Sequence, residues 1–210
     1  MCNWAFAANI YPGRFPPALP LFFPGAVMKS LLSLLLLCLS FQGVAKEVAG
    51  IALPDSLLQD NHAYVLNGAG VRSKFFMDLY VGSLYLTTTA DTADKVMAQD
   101  KAIIRLDILS DLITSEKMRN AINEGFEAAT DGKQDDAMKA SIATFMTLFE
   151  ADIKPGDNFV LIAGRDGVEA IKNDVPLPKV GDATFAAALL KIWLGEHPAQ
   201  KSLKQEMLGR

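Results

Sequence analysis

Cysteine and histidine are almost missing from these 210 residues, with two of each: Cys2, Cys38, His62 and His197. Both cysteines fall in the first 45 positions, so whatever folds beyond them has no disulfide to close it and no thiol nucleophile. The two histidines stand apart, with no HxxxH spacing and no clustered carboxylates, which argues against a transition-metal site. His62 lies among polar loop residues and His197 just past a helix end beside Pro198, so both read as surface. No serine sits in a recognisable Ser-His-acid motif. A basic stripe for nucleic acid and a basic amphipathic face for anionic lipid are lacking as well. The partner to expect is a small molecule or another protein.

Long apolar runs are scarce too. Residues 30–41 form an apolar core of about a dozen residues, short of the roughly 20 that a membrane-spanning helix needs. Met28 and Lys29 precede it, and Gly43 and Ala45 place small residues before a polar one. That is the pattern of a secretory signal peptide over residues 28–45, cleaved after Ala45. It predicts a bacterial domain that is periplasmic or secreted, with no stable membrane span after cleavage. A permanent N-terminal anchor is the competing reading. Cys38 does not suit a lipoprotein, because Leu37 precedes it where a small residue is expected. Residues 1–27 carry one charge, Arg14, ahead of a segment that normally opens a chain, so Met28 reads as the true start and 1–27 as an over-extension without structure of its own.

Residues 1–45 hold two of the 20 Lys and Arg and none of the 24 Asp and Glu. The remaining 165 residues therefore carry a net charge of −6, and they suffice for one domain, residues 46–210, with its own core.

Along that domain, residues 47–53 and 63–66 read as short strands, the first stopped by Pro54. Gly68-Ala-Gly70 follows, where glycine permits a bulge or sharp bend. Residues 75–87 read as a long apolar strand, 91–99 as a short helix capped by Asp91 or Thr92, and 102–109 as another strand. A helix capped by Thr114 or Ser115 places Met118, Ala121, Ile122 and Phe126 on one face and ends at Asp131-Gly132. The next runs from Asp135 or Asp136 to about Ala151, with Met138, Ile142, Phe145, Met146 and Phe149 in an amphipathic stripe that belongs to a core. A turn at 154–157, a hairpin over 159–172, a proline-containing link at 175–180, and helices at 183–194 and 199–208 complete the chain. Strands first, helices between and a hairpin near the end predict an α+β fold, with helices packed on an antiparallel sheet.

One residue stands out against this background. Arg72 lies between the glycine pair and the long apolar strand, where a guanidinium is costly to bury unless an anion or an acceptor meets it. Gly68-Ala-Gly70 is no dinucleotide-binding turn, since it lacks the third glycine and leads into a strand instead of a helix. With the phenols of Tyr80 and Tyr85, Arg72 can hold a carboxylate or enolate oxygen, and Phe75, Phe76 and Leu79 can wall an apolar body. The other reading is that Arg72 caps backbone carbonyls and the tyrosines are core aromatics.

Four segments carry a family likeness: Asn-Gly-Ala-Gly-Val-Arg at 67–72, Tyr-Val-Gly-Ser-Leu-Tyr-Leu at 80–86, Ser-Glu-Lys at 115–117 and Lys-Ile-Trp-Leu-Gly-Glu at 191–196. In this order they resemble the chalcone isomerase-like superfamily, above all its bacterial exported branch, over residues 47–209. The resemblance implies a large antiparallel sheet covered by a layer of helices, and no cofactor. It also implies one of two activities: isomerisation of an enone-type substrate, or fatty-acid binding without turnover. Of the three side chains that support the isomerase reaction, the arginine falls on Arg72. The threonine falls on Tyr80, and the tyrosine before Ser-Glu-Lys falls on Thr114. The fatty-acid-binding relatives pair an arginine with a strand tyrosine, as Arg72 and Tyr80 do. The resemblance therefore implies a small hydrophobic carboxylate as ligand, met by Arg72, Tyr80, Thr114 and Tyr85. A scaffold domain with a closed pocket is the third alternative. Arg72 and Tyr80 share a ligand only if the chain bends between them, for instance near Ser73-Lys74, because a straight strand would hold them about 26 Å apart.

Overall fold

The computed structural model describes residues 46–210; the expected signal peptide at 28–45 and the segment 1–27 lie outside the described residues. Seven strands form one antiparallel sheet in simple chain order: β3 (Ser56–Gln59), β4 (His62–Lys74), β5 (Met77–Leu86), β6 (Lys101–Ile108), β7 (Asn158–Gly164), β8 (Gly167–Lys172) and β9 (Val175–Val180). A separate hairpin of β1 (Lys46–Val48) and β2 (Ile51–Leu53) precedes them. The helix α1 (Ala93–Met97) joins β5 to β6. Between β6 and β7 come α2 (Ser115–Ala129), α3 (Asp136–Met146) and a 3-10 turn, Thr147–Phe149; α4 (Ala183–Leu194) and α5 (Lys201–Met207) follow the sheet. This is the α+β arrangement expected, with helices on an antiparallel sheet.

Helix starts are set by side chains that satisfy otherwise orphaned N–H groups. Thr114, Asp135 and Asp182 each accept from the backbone N–H three residues on. The faces they open pack as an aromatic cluster over the sheet: Phe126 stacks on Phe185 with centroids 5.1 Å apart, and Phe145 meets both edge-on. Leu84, Ile104, Leu106 and Leu161 complete this core from the strands. On the other face of the sheet, Tyr64, Tyr85, Ile103 and Ile162 form a second cluster, and Leu53 of β2 covers Ala69 and Val81 in a third.

Several local expectations need correction. Residues 47–53 are a hairpin and not one strand, because Ala49 and Gly50 take positive φ and reverse the chain. At the glycine pair the outcome is the bulge and not a break: β4 continues through it, with Asn67 left unpaired. The long strand starts at Met77, after a turn at Phe75-Phe76 that brings β5 back along β4. The link at 175–180 is itself a strand, β9, whose Pro176 and Pro178 are tolerated because it lies at the sheet edge. The strand β3 was not anticipated, and α3 ends at Met146 instead of near Ala151.

The glycines have a packing role. A Cβ on Gly68 would lie 2.1 Å from the Glu206 carbonyl oxygen, so the side-chain-free surface of β4 is what lets α5 lie against it. The bulged Asn67 secures the same contact. Its amide donates to the carbonyls of Ala90 and Met207 at 2.9 and 2.8 Å and accepts from the Ala90 N–H at 2.7 Å.

Candidate functional site

The reversal at Phe75-Phe76 decides whether Arg72 and Tyr80 meet. They face each other as direct partners in the β4–β5 pairing, and directly opposed residues of an antiparallel pair project to the same face. The bend expected near Ser73-Lys74 is a two-residue hairpin loop just beyond it, and a shift in the pairing between Arg72 and Ser73 twists the strand at the arginine itself.

Both side chains line a cleft of about 600 Å³ between this part of the sheet, α2 and the end of α4. Its walls are largely apolar, from Leu79, Leu106, Ile113, Met118 and Ile122, and the size suits a drug-sized ligand. Gly125 on α2 gives a close approach to α4, since a Cβ there would come within 2.7 Å of the Ile192 side chain.

The Arg72 guanidinium is half-buried. Its Nη1 donates to the Ser73 carbonyl at 3.0 Å and to Gln200 Oε1 at 2.9 Å, both uncharged. Among the described residues no carboxylate forms an ion pair with it. Gln200 also accepts from the Ser73 N–H and donates to the Val71 carbonyl, so it fixes the strand around the arginine. Tyr80 is buried, and its phenol oxygen accepts from the Trp193 indole N–H at 3.0 Å. The phenol hydrogen has no acceptor among the described residues and stays available to a ligand. Burial pushes the Tyr80 pKa up, while the Trp193 bond and the Arg72 charge pull it partly back. The phenol is therefore a neutral donor across the physiological range.

The cleft lining also contains Lys74, Lys117 and a single acid, Glu124. A net positive cleft in a domain of net charge −6 is a local field suited to an anion.

The other two expected site residues stand elsewhere. Thr114 caps α2, with its hydroxyl accepting from the Lys117 N–H at 3.2 Å, and it is not among the cleft-lining residues. Tyr85 lies five positions from Tyr80 on one strand and so faces the opposite side, in the cluster with Tyr64. Phe75 lines the cleft, whereas Phe76 does not. Three residues that sequence reasoning gave no role help make the site: Gln200, Trp193 and Lys117. Trp193 carried a signal, since it sits within the 191–196 segment, but nothing marked Gln200. His197, expected at the surface, is exposed and also lines the cleft.

Tyr85 is fully buried and its hydroxyl has no partner among the described residues. Burial pushes its pKa up, while the nearby Ser83 hydroxyl, outside hydrogen-bond geometry in the structure, and then the Arg105 charge pull it partly back. In the unfolded chain a tyrosine ionises near pH 10. The stability that Tyr80 and Tyr85 contribute by staying neutral is therefore complete below about pH 10 and is lost as pH climbs towards their raised values. Tyr85→Phe is expected to flatten the alkaline fall in melting temperature. At neutral pH it should leave stability unchanged or raised, because it removes an unsatisfied buried hydroxyl. A melting series from pH 7 upward checks both; a marked loss at neutral pH would show that the hydroxyl has a partner.

Residues 45–209 match the family model described as Chalcone isomerase-like. Among solved structures, a fatty-acid binding protein of Arabidopsis thaliana has the same fold, with a TM-score of 0.60 and 18% sequence identity over 76% of this chain and 92% of that one. At that identity the likeness concerns the fold alone. No curated protein matches in sequence. The meander sheet with helices laid against it, and a family match over nearly all of the described residues, lead to one assignment: the chain belongs to the chalcone isomerase-like family.

Proposed function

We propose that the cleft binds a hydrophobic carboxylate, a fatty acid or close analogue, without converting it. One observation carries this reading: Arg72 lines an apolar cleft with no acid to neutralise it, opposite a buried phenol with a hydrogen to give. A carboxylate supplies the missing negative charge and two acceptor oxygens, and a hydrocarbon tail covers the apolar walls. The Arabidopsis relative, a fatty-acid binding protein, agrees with it. Isomerase chemistry is supported less well, since it needs several donors around a developing oxyanion. Thr114, at the position of the family tyrosine, caps a helix and lies outside the cleft lining.

The protein works, in this reading, outside the bacterial cytoplasm, which the signal-peptide pattern of residues 28–45 supports. Purification from the periplasmic fraction under native conditions, followed by mass spectrometry, tests both parts. The expected results are a first residue of Lys46 and a co-purifying long-chain acid. Turnover of a chalcone or related enone by the wild-type protein would instead revive the isomerase.

A further inference from the structure

Four two-residue hairpin loops in this domain have positive φ at both central positions: Ala49-Gly50, Asp60-Asn61, Phe75-Phe76 and Asn173-Asp174. Such loops favour glycine, asparagine and aspartate, which enter the left-handed region most easily. Three of the four contain at least one of these residues. The β4–β5 loop has two phenylalanines, for which this backbone is strained. Packing compensates little, because Phe75, at the cleft edge, is 79% exposed and Phe76 is fully exposed. Met77, next in the chain, is 45% exposed. Local turn chemistry and core packing both argue against aromatic residues here, so their presence points to something outside the domain.

The loop is also part of the site's rim. Lys74, Phe75, Met77 and, from the approach to α2, Leu112 all line the cleft and are exposed. The exposed apolar tip and the mouth of the cleft are therefore continuous. Lys74 and Lys117 flank it, and the Lys74 ammonium lies 5.7 Å from the centre of the Phe75 ring. The acids nearby in the chain or the cleft are Asp78, whose carboxylate accepts from the Ser73 hydroxyl at 2.8 Å, Glu124, and the exposed Asp111 and Glu116 beside Leu112 and Lys117. An aromatic pair on a projecting loop with lysines behind it suits the interfacial layer of a lipid bilayer. The rings enter the headgroup–acyl boundary and the ammonium groups remain level with the phosphates. The remaining domain, net negative, is repelled by an anionic surface, which favours approach by this end.

We infer that the β4–β5 loop docks the domain on a phospholipid surface, Phe75 and Phe76 inserted, with the mouth of the cleft against the membrane. The docking stands on the loop alone; its consequence rests on the function proposed above. An acid passing between bilayer and cleft would not cross bulk water.

Three variants of the protein as recovered from cells test this. Phe76→Trp places a fluorophore at the tip; its emission is expected to shift to the blue with vesicles of phosphatidylcholine containing phosphatidylglycerol, and to be quenched by brominated phosphatidylcholine. The double substitution Phe75→Asn, Phe76→Gly installs the preferred turn pair. It should melt at or above the wild-type temperature yet partition into vesicles about tenfold or more less. Arg72→Ala should dock like wild type while losing affinity for an added acid, which separates failure of docking from failure of ligand binding. Unchanged Trp emission, or vesicle binding that survives loss of both phenylalanines, would overturn the proposal. So would a blue shift without vesicles that rises with protein concentration, because a second copy would then cover the tip.

Discussion

Gly68→Ala is expected to destabilise the domain by about 3 kcal/mol, the upper end of the usual range for overpacking. The cause is not backbone conformation, since Gly68 does not lie in the left-handed region. The new methyl would lie 2.1 Å from the Glu206 carbonyl oxygen and 2.8 Å from that of Met207, both backbone atoms near the end of α5. A flexible side chain can swing away from an intruding methyl, whereas a helix must shift as a body. The shift would also strain the three hydrogen bonds of Asn67, two of which tie Ala90 and one Met207. For a domain of this size the cost corresponds to a melting temperature lower by roughly 6–12 °C. Gly82→Ala is the control. Its Cβ would first meet the Leu203 side chain at 3.4 Å, an ordinary contact, and the change should be within about 1 kcal/mol. Urea denaturation of the three proteins decides the matter, and equal midpoints for Gly68→Ala and wild type would refute the packing account.

Arg72→Ala is expected to weaken binding of a long-chain acid about a hundredfold, through loss of two charge-assisted hydrogen bonds. Arg72→Lys keeps the charge but not the two-pronged geometry, and should recover roughly tenfold of that loss. Stability should change far less, because the bonds that Arg72 makes in the structure go to the neutral oxygens of Ser73 and Gln200. Titration calorimetry with a fatty acid, beside a melting curve, separates the two effects. Unaltered affinity in Arg72→Ala would remove the arginine from the site, and with it the proposed function.

The sequence made the helices more legible than the strands. Residues 183–194 read as the helix that the structure shows, since the repeat of Phe185, Leu189, Ile192 and Trp193 leaves little choice. The stripe from Met138 to Phe149 reads as core and is core, although its last turn tightens to 3-10 geometry. Strand limits depend on turn chemistry, which is hardest to read where the chain departs from it. Phe75-Phe76 carries no turn signal, so the loop was absorbed into a strand and Arg72 appeared far from Tyr80. The prolines of β9 disguised an edge strand as a link. Tyr85 was a different kind of miss: an interval of five along a strand reverses the face, so its separation from Tyr80 was readable all along. Gln200 was not readable, because a lone glutamine before a helix has no local signature and finds Arg72 only through the fold.

The attachment of α5 bears on how the domain assembles. Every sheet neighbour is also a neighbour in chain order, so most of the meander can form by short closures. The bonds from Arg72 to Gln200 and from Asn67 to Met207 span 128 and 140 positions. They fasten the last helix to one of the first strands of the sheet, and such distant contacts carry the largest closure entropy and form slowly. The Arg72–Gln200 bond is therefore expected to form after the β4–β5 hairpin, so the anion anchor is completed by the end of the chain and not by the sheet alone.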